Sequence, residues 1–97
     1  MDPVTSREMQ ITGRQVAAAR ELLKITQAEL AQSASIHEST VTSFEAGTHE
    51  PRPSTIRLIQ EALERRGIEF TNGSGMGVRL DFTKAEIATR AASRPPQ

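Results

Sequence analysis

Two helix-start signals follow one another at close range, Thr12-Gly13-Arg14-Gln15 and Thr26-Gln27-Ala28-Glu29. Each has the Ser/Thr-x-x-Glu/Gln form of a capping box, in which side chains satisfy the free N–H groups that open a helix. A chain that restarts its helix so soon cannot run one long helix. It must fold as short helices joined at corners. After the first signal, Val16, Ala19, Arg20 and Leu23 recur at helical spacing among strong helix formers, predicting a helix over about 13–24. Ile25 breaks the pattern. The second signal opens a shorter helix, about 27–33, and Ala34-Ser35-Ile36 leaves room only for a tight turn.

The third helix starts near Ser35 or His37 and carries Val41 and Phe44 on one face, with Gly47 placed to end it. His49-Glu50-Pro51-Arg52-Pro53 cannot be helix interior, but Pro53 suits the first position of a fourth helix. Ile56, Ile59 and Leu63 form that helix's apolar stripe, and Gly67 stops it. Beyond Gly67 the period changes to two. Ile68 and Phe70, then Val78, Leu80 and Phe82, alternate with polar residues around a glycine-rich turn, which reads as a β-hairpin over 68–82. Thr83-Lys84-Ala85-Glu86 again has the capping-box form, predicting a short tail helix to about Ser93. Residues 1–11 read as a loose arm and the last four as frayed.

Composition narrows the function. Apolar residues make up 36% of the 97 residues and charged residues 25%, which suits one small domain. Twelve Lys+Arg balance twelve Asp+Glu, so any nucleic-acid site must be a local patch. With no cysteine there is no disulfide framework, Cys-based zinc site or catalytic thiol. No apolar run is long enough for a membrane span, and the first residues lack a signal-peptide pattern, so a cytoplasmic location is expected. Three Phe and no Trp or Tyr make aromatic base stacking a poor reading. His37 and His49 have no carboxylate at ligand spacing, and no Ser has a His/Asp arrangement beside it, so neither a metal site nor catalysis is supported and no cofactor is expected. Asn72-Gly73-Ser74-Gly75 has no Lys-Ser/Thr after it and reads as a turn, not a phosphate cradle.

Two short helices meeting at a tight turn suggest a helix-turn-helix. The stretch TQAELAQSASIHESTVTSFEAG, residues 26–47, closely resembles the Cro/cI-type (XRE) helix-turn-helix family of repressors. The likeness runs from about Thr12 to Gly67. It rests on T-Q-x-E-L-A, an apolar residue after the turn, V-x-x-F-E-x-G and P-x-x-x-T-I. One departure is Ser35, where family members usually carry Gly. The resemblance implies a mainly α, lambda-repressor-like bundle of four to five short helices with a C-terminal β-hairpin. The helix-turn-helix domain would span 12–67, with the arm before it and a short helix or disordered tail at 83–97.

The resemblance also assigns roles. A major groove admits one α-helix. With Val41 and Phe44 buried, the third helix exposes Glu38, Ser39, Thr42 and Ser43. Glu38, Ser39 and Ser43 fall where family members read base edges, with Thr42 beside them. Glu38 is an acceptor able to take a cytosine amino hydrogen. Gln27 falls where the family bonds a phosphate and braces the third helix, and Thr26 would orient the N–H groups that open the second. Arg20 and Glu45 fall where the family joins the first and third helices by an ion pair, a structural role. Residues 26–47 contain no Lys or Arg. Phosphate contacts must therefore come from Arg14, Lys24, His49 and Arg52, with Arg7 of the arm able to reach an adjacent groove.

So few cations imply a dimer. The apolar face of the hairpin, Ile68, Phe70, Val78, Leu80 and Phe82, is its expected contact, the alternative being that it covers the first and fourth helices. The expected function is a sequence-specific DNA-binding transcription regulator, a homodimeric repressor on double-stranded DNA with a two-fold symmetric site. The alternative is a module of the same fold, an antitoxin or anti-activator, that acts through a regulatory protein partner.

Overall fold

The computed structural model describes residues 10–86. Four helices come first: α1 (Gly13–Leu23), α2 (Gln27–Ala34), α3 (Glu38–Ala46) and α4 (Pro53–Glu64). An antiparallel hairpin of β1 (Ile68–Thr71) and β2 (Gly77–Leu80) follows. The chain is thus mainly α with a C-terminal hairpin. The expected arm over 1–9, Arg7 included, and the tail over 87–97 lie outside the described residues.

Both capping boxes form. Thr12 Oγ1 accepts from the Gln15 N–H while Gln15 Oε1 accepts from the Thr12 N–H at 2.9 Å. Thr26 and Glu29 repeat the exchange at 3.0 and 2.7 Å. The first three helices end alike. Lys24, Ser35 and Gly47 take left-handed conformations with φ of 58, 60 and 77°. Each donates its N–H to the carbonyl three residues back. The N–H of the next residue reaches five back, Ile25 to Arg20, Ile36 to Ala31 and Thr48 to Ser43. This is the Schellman arrangement, which satisfies the last carbonyls and turns the chain sharply.

The turns fold α2 and α4 together and set α3 across α1 and α2. Val16 and Ala19 of α1, Leu30, Ala31 and Ala34 of α2, Val41 and Phe44 of α3 and Ile56, Ile59, Ala62 and Leu63 of α4 close one core. Burial of these side chains, at about 25 cal/mol per Å² of apolar surface, holds helices too short to stand alone. Gly13 allows the closest approach: a Cβ there would lie 1.9 Å from the Phe44 carbonyl oxygen. Only the missing side chain lets the start of α1 rest on the end of α3.

Several expectations are corrected. Ile11 is not part of a loose arm; it is 2% exposed and belongs to the core. The hairpin pairs Ile68 with Leu80 and Phe70 with Val78, and it ends at Leu80. Phe82 opens a helical turn over 82–86 instead of extending the strand. That turn is capped by Asp81, whose Oδ1 accepts from the Lys84 N–H at 2.9 Å, so Thr83 does not serve as its cap. The expected dimer face is turned inward. Ile68 is buried, and Phe70, Val78 and Leu80 pack half-buried on the core. Of the five side chains Phe82 is the most open, at 80% exposed, while Phe70, Val78 and Leu80 keep part of their surface in solvent. The physical reason is that β2 lies on α1 and β1 on α4, whose apolar flanks need cover.

Candidate nucleic-acid interface

Helix α3 presents Glu38, Ser39 and Thr42 fully to solvent and Ser43 partly, because Val41 and Phe44 are buried on its other side. Its N-cap, His37, makes no side-chain capping bond, and α3 is held instead through Thr42 and Glu45 in its middle and last turn. The hold comes from α1 and α2. Arg20 grips Glu45 with two parallel hydrogen bonds, Nε to Oε2 at 2.7 Å and Nη2 to Oε1 at 2.9 Å. The same guanidinium donates from Nη1 to the Ile25 carbonyl at 3.0 Å. The two side chains are 17% and 7% exposed, and the bond to Glu45 is the main reason the Arg20 pKa stands above its ordinary value. Such a fork-to-carboxylate pair fixes geometry as well as charge.

Gln27 extends this hold. Its Nε2 donates to Glu45 Oε1 at 2.9 Å, and its Oε1 accepts from the Thr42 hydroxyl at 2.7 Å. Thr42 Oγ1 also lies 3.2 Å from the Glu38 carbonyl. The brace expected of Gln27 is thus present, running Arg20–Glu45–Gln27–Thr42 across three helices. Its amide is largely engaged within the chain, which leaves it one free N–H for a phosphate.

The residues expected at phosphates fall into two groups, one at each end of α3. Lys24, Thr26 and Gln27 line an open depression with Arg20, Glu21 and Glu38, at the start of α3. Arg14 and His49 line a second with Phe44, Gly47 and Glu50, at its end. Arg14, Lys24, His49 and Arg52 are all exposed. Arg52 is the N-cap of α4, makes no capping bond and precedes Pro53 at the first helical position. The Thr55 and Ile56 N–H groups both donate to the Arg52 carbonyl, at 2.9 and 3.0 Å, and Pro53 has none, so the α4 start offers the Ser54 N–H and the helix dipole beside a cation. The start of α2 differs. Glu29 already occupies it, its carboxyl pKa lowered by hydrogen bonds from the Thr26 backbone and side chain. That charge works against a second anion at the α2 start.

Comparison with known families decides the fold's kinship. The helix-turn-helix family model matches residues 16–70, more than half of the chain. The chain belongs to the helix-turn-helix family. No curated protein matches it. In the helix-turn-helix, α2 and α3 are the paired helices. The family is one of DNA-binding transcription regulators, and that is the class of this chain. Among the described residues no group of three or more His, Asp or Glu could hold a metal ion. No helix among them is long and apolar enough to cross a membrane.

Sequence reasoning missed three supports of the helix-turn-helix. Gln15 is 2% exposed, and beyond capping α1 its Nε2 reaches Asn72 Oδ1 at 2.7 Å and the Gly77 carbonyl at 2.9 Å. It pins the hairpin to the start of α1. Asn72 in turn donates to the Gln10 carbonyl at 3.2 Å. Arg65 and Arg66 hold the end of α2 through the Ser33 carbonyl and hydroxyl, at 3.1 and 3.0 Å. A buried glutamine in a capping box already has a local use, so nothing in the pattern signals its second one.

Proposed function

We propose that the chain is a sequence-specific repressor that binds a two-fold symmetric operator as a homodimer, with α3 of each protomer in successive major grooves. The observation that carries this reading is the exposed face of short polar side chains on α3, braced from behind by Arg20, Glu45 and Gln27 and flanked at both ends by cations. Recognition helices one helical turn of DNA apart, roughly 34–36 Å, require a two-fold partner. The exposed Phe82 offers an apolar anchor for that partner beside the hairpin. The test is selection of random DNA fragments by the purified protein, with a Ser39→Ala/Ser43→Ala double variant in parallel. A palindromic motif that weakens in the variant supports a dimeric base reader.

One observation favours a second reading. Helices α2 and α3 expose Glu29 and Glu38 and carry no Lys or Arg, Glu45 being paired with Arg20. A surface of that charge suits a basic protein partner, as in an antitoxin or anti-activator. No enrichment of any DNA at salt concentrations where the protein is folded favours that reading.

A further inference from the structure

Hydrogen-bond polarity is passed along the brace behind α3 and fixes what the helix can offer a base. Arg20 only donates, so Glu45 must receive it as a carboxylate. Glu45 only accepts, so the Gln27 amide must turn its NH₂ toward Glu45 and its oxygen toward Thr42. Facing that oxygen at 2.7 Å and the Glu38 carbonyl at 3.2 Å, the Thr42 hydroxyl has two acceptors behind it and a single proton to give. Its proton points inward, and only lone pairs remain for solvent. Serine or threonine on a recognition helix can ordinarily donate or accept; Thr42 cannot choose. Glu38, one turn before it on the same face and also exposed, is acceptor-only by its charge.

We propose that Glu38 and Thr42 form a paired acceptor that selects cytosine in each half-site, an inference that rests on the DNA-reading role above. Cytosine offers an N4 amino donor in the major groove with no acceptor beside it. Guanine offers O6 and N7, both acceptors, and is repelled by the Glu38 carboxylate. Adenine sets its N6 donor next to the N7 acceptor, which suits a lone carboxylate less well. Thymine offers only O4 and a methyl group. Gln27 acts as a positioning residue, since it sets the orientation of Thr42 without itself meeting the base. Ser39 and Ser43 make no side-chain bond that commits them and add contacts of either polarity.

The test is the same fragment selection with the full chain, run beside Glu38→Gln and Thr42→Val, two near-isosteric changes at exposed positions. The expected motif carries a cytosine in each half-site. Glu38→Gln, which gains a donor, should shift that position toward adenine, and Thr42→Val should weaken the cytosine preference. Each change is expected at roughly tenfold in relative affinity, the low end for a base contact. A motif whose substitution-sensitive position is guanine or thymine overturns the paired acceptor. So does a motif that neither variant alters, while both leave DNA reading in place. The absence of any motif overturns the DNA-reading role itself.

Discussion

Gly13 and the Phe44 carbonyl stand in such close contact that a Cβ at position 13 would fall 1.9 Å from the oxygen. The contact sets the first turn of α1 on the last turn of α3. Helix propensity alone favours Gly13→Ala by about 0.5–1 kcal/mol. The contact demands the opposite sign, because a backbone carbonyl cannot give way as a side chain tip can. Gly13→Ala is expected to destabilise the fold by about 1–3 kcal/mol, as overpacking does. Urea unfolding of the variant measures it, and a stabilised variant would contradict the packing described.

Ser35 is expected to respond in the other direction. It ends α2 at φ 60°, in the same motif that Gly47 completes at φ 77°. A left-handed conformation costs an L-residue about 1–2 kcal/mol, part of which glycine returns as greater freedom in the unfolded chain. Ser35→Gly should therefore raise stability by about 0.5–1 kcal/mol and leave the turn unchanged. Thermal unfolding decides this, and a loss of stability would mean that the serine side chain holds the turn.

These two residues show what was legible in the sequence and what was not. Helix starts and stops are local chemistry, so Thr12, Thr26, Gly47 and Pro53 marked the elements well, and Arg20 and Glu45 were legible through the family pattern. Nothing in the pattern marked Gly13 as a contact, because its partner is far along the chain. Asp81 displaced Thr83 as the last cap because an N-cap carboxylate needs only the N–H three residues on, and the strand end at Leu80 left Asp81 at that place. The apolar hairpin face was visible, but which surface it covers depends on where β1 and β2 land. Ile11 was hidden because a single isoleucine in a polar stretch carries no period.

Gln15 ties the start of α1 to the hairpin. Gln15→Met keeps the size of the side chain and removes its donors from the Asn72 side chain and the Gly77 carbonyl. Buried groups left without partners cost about 1–3 kcal/mol each. Hydrogen exchange should then show faster opening of 68–80 than of α2 and α3, whereas uniform change across the chain would contradict a local clamp.

Glu29 gives the α2 start a pH dependence. Its folded pKa is depressed, chiefly by the hydrogen bond from the Thr26 backbone N–H. A depressed carboxylate contributes stability that is fully present above its unfolded pKa and lost as pH falls through the folded one. Glu29→Gln keeps an acceptor at the same capping position and removes the charge. The variant should show a shallower loss of stability below the ordinary carboxylate range, measured by unfolding across pH. An unchanged acid limb would place that dependence elsewhere.

The most direct test of α3 as a base reader is the ratio of affinities for a selected duplex and a scrambled one, titrated against salt for three proteins. For the parent protein the ratio should be large. In Ser39→Ala/Ser43→Ala it should fall with the salt slope unchanged, as expected of side chains that meet bases and not phosphates. In Arg52→Ala the ratio should hold while the slope falls by about one unit. A double variant that keeps the full ratio would contradict base reading by Ser39 and Ser43.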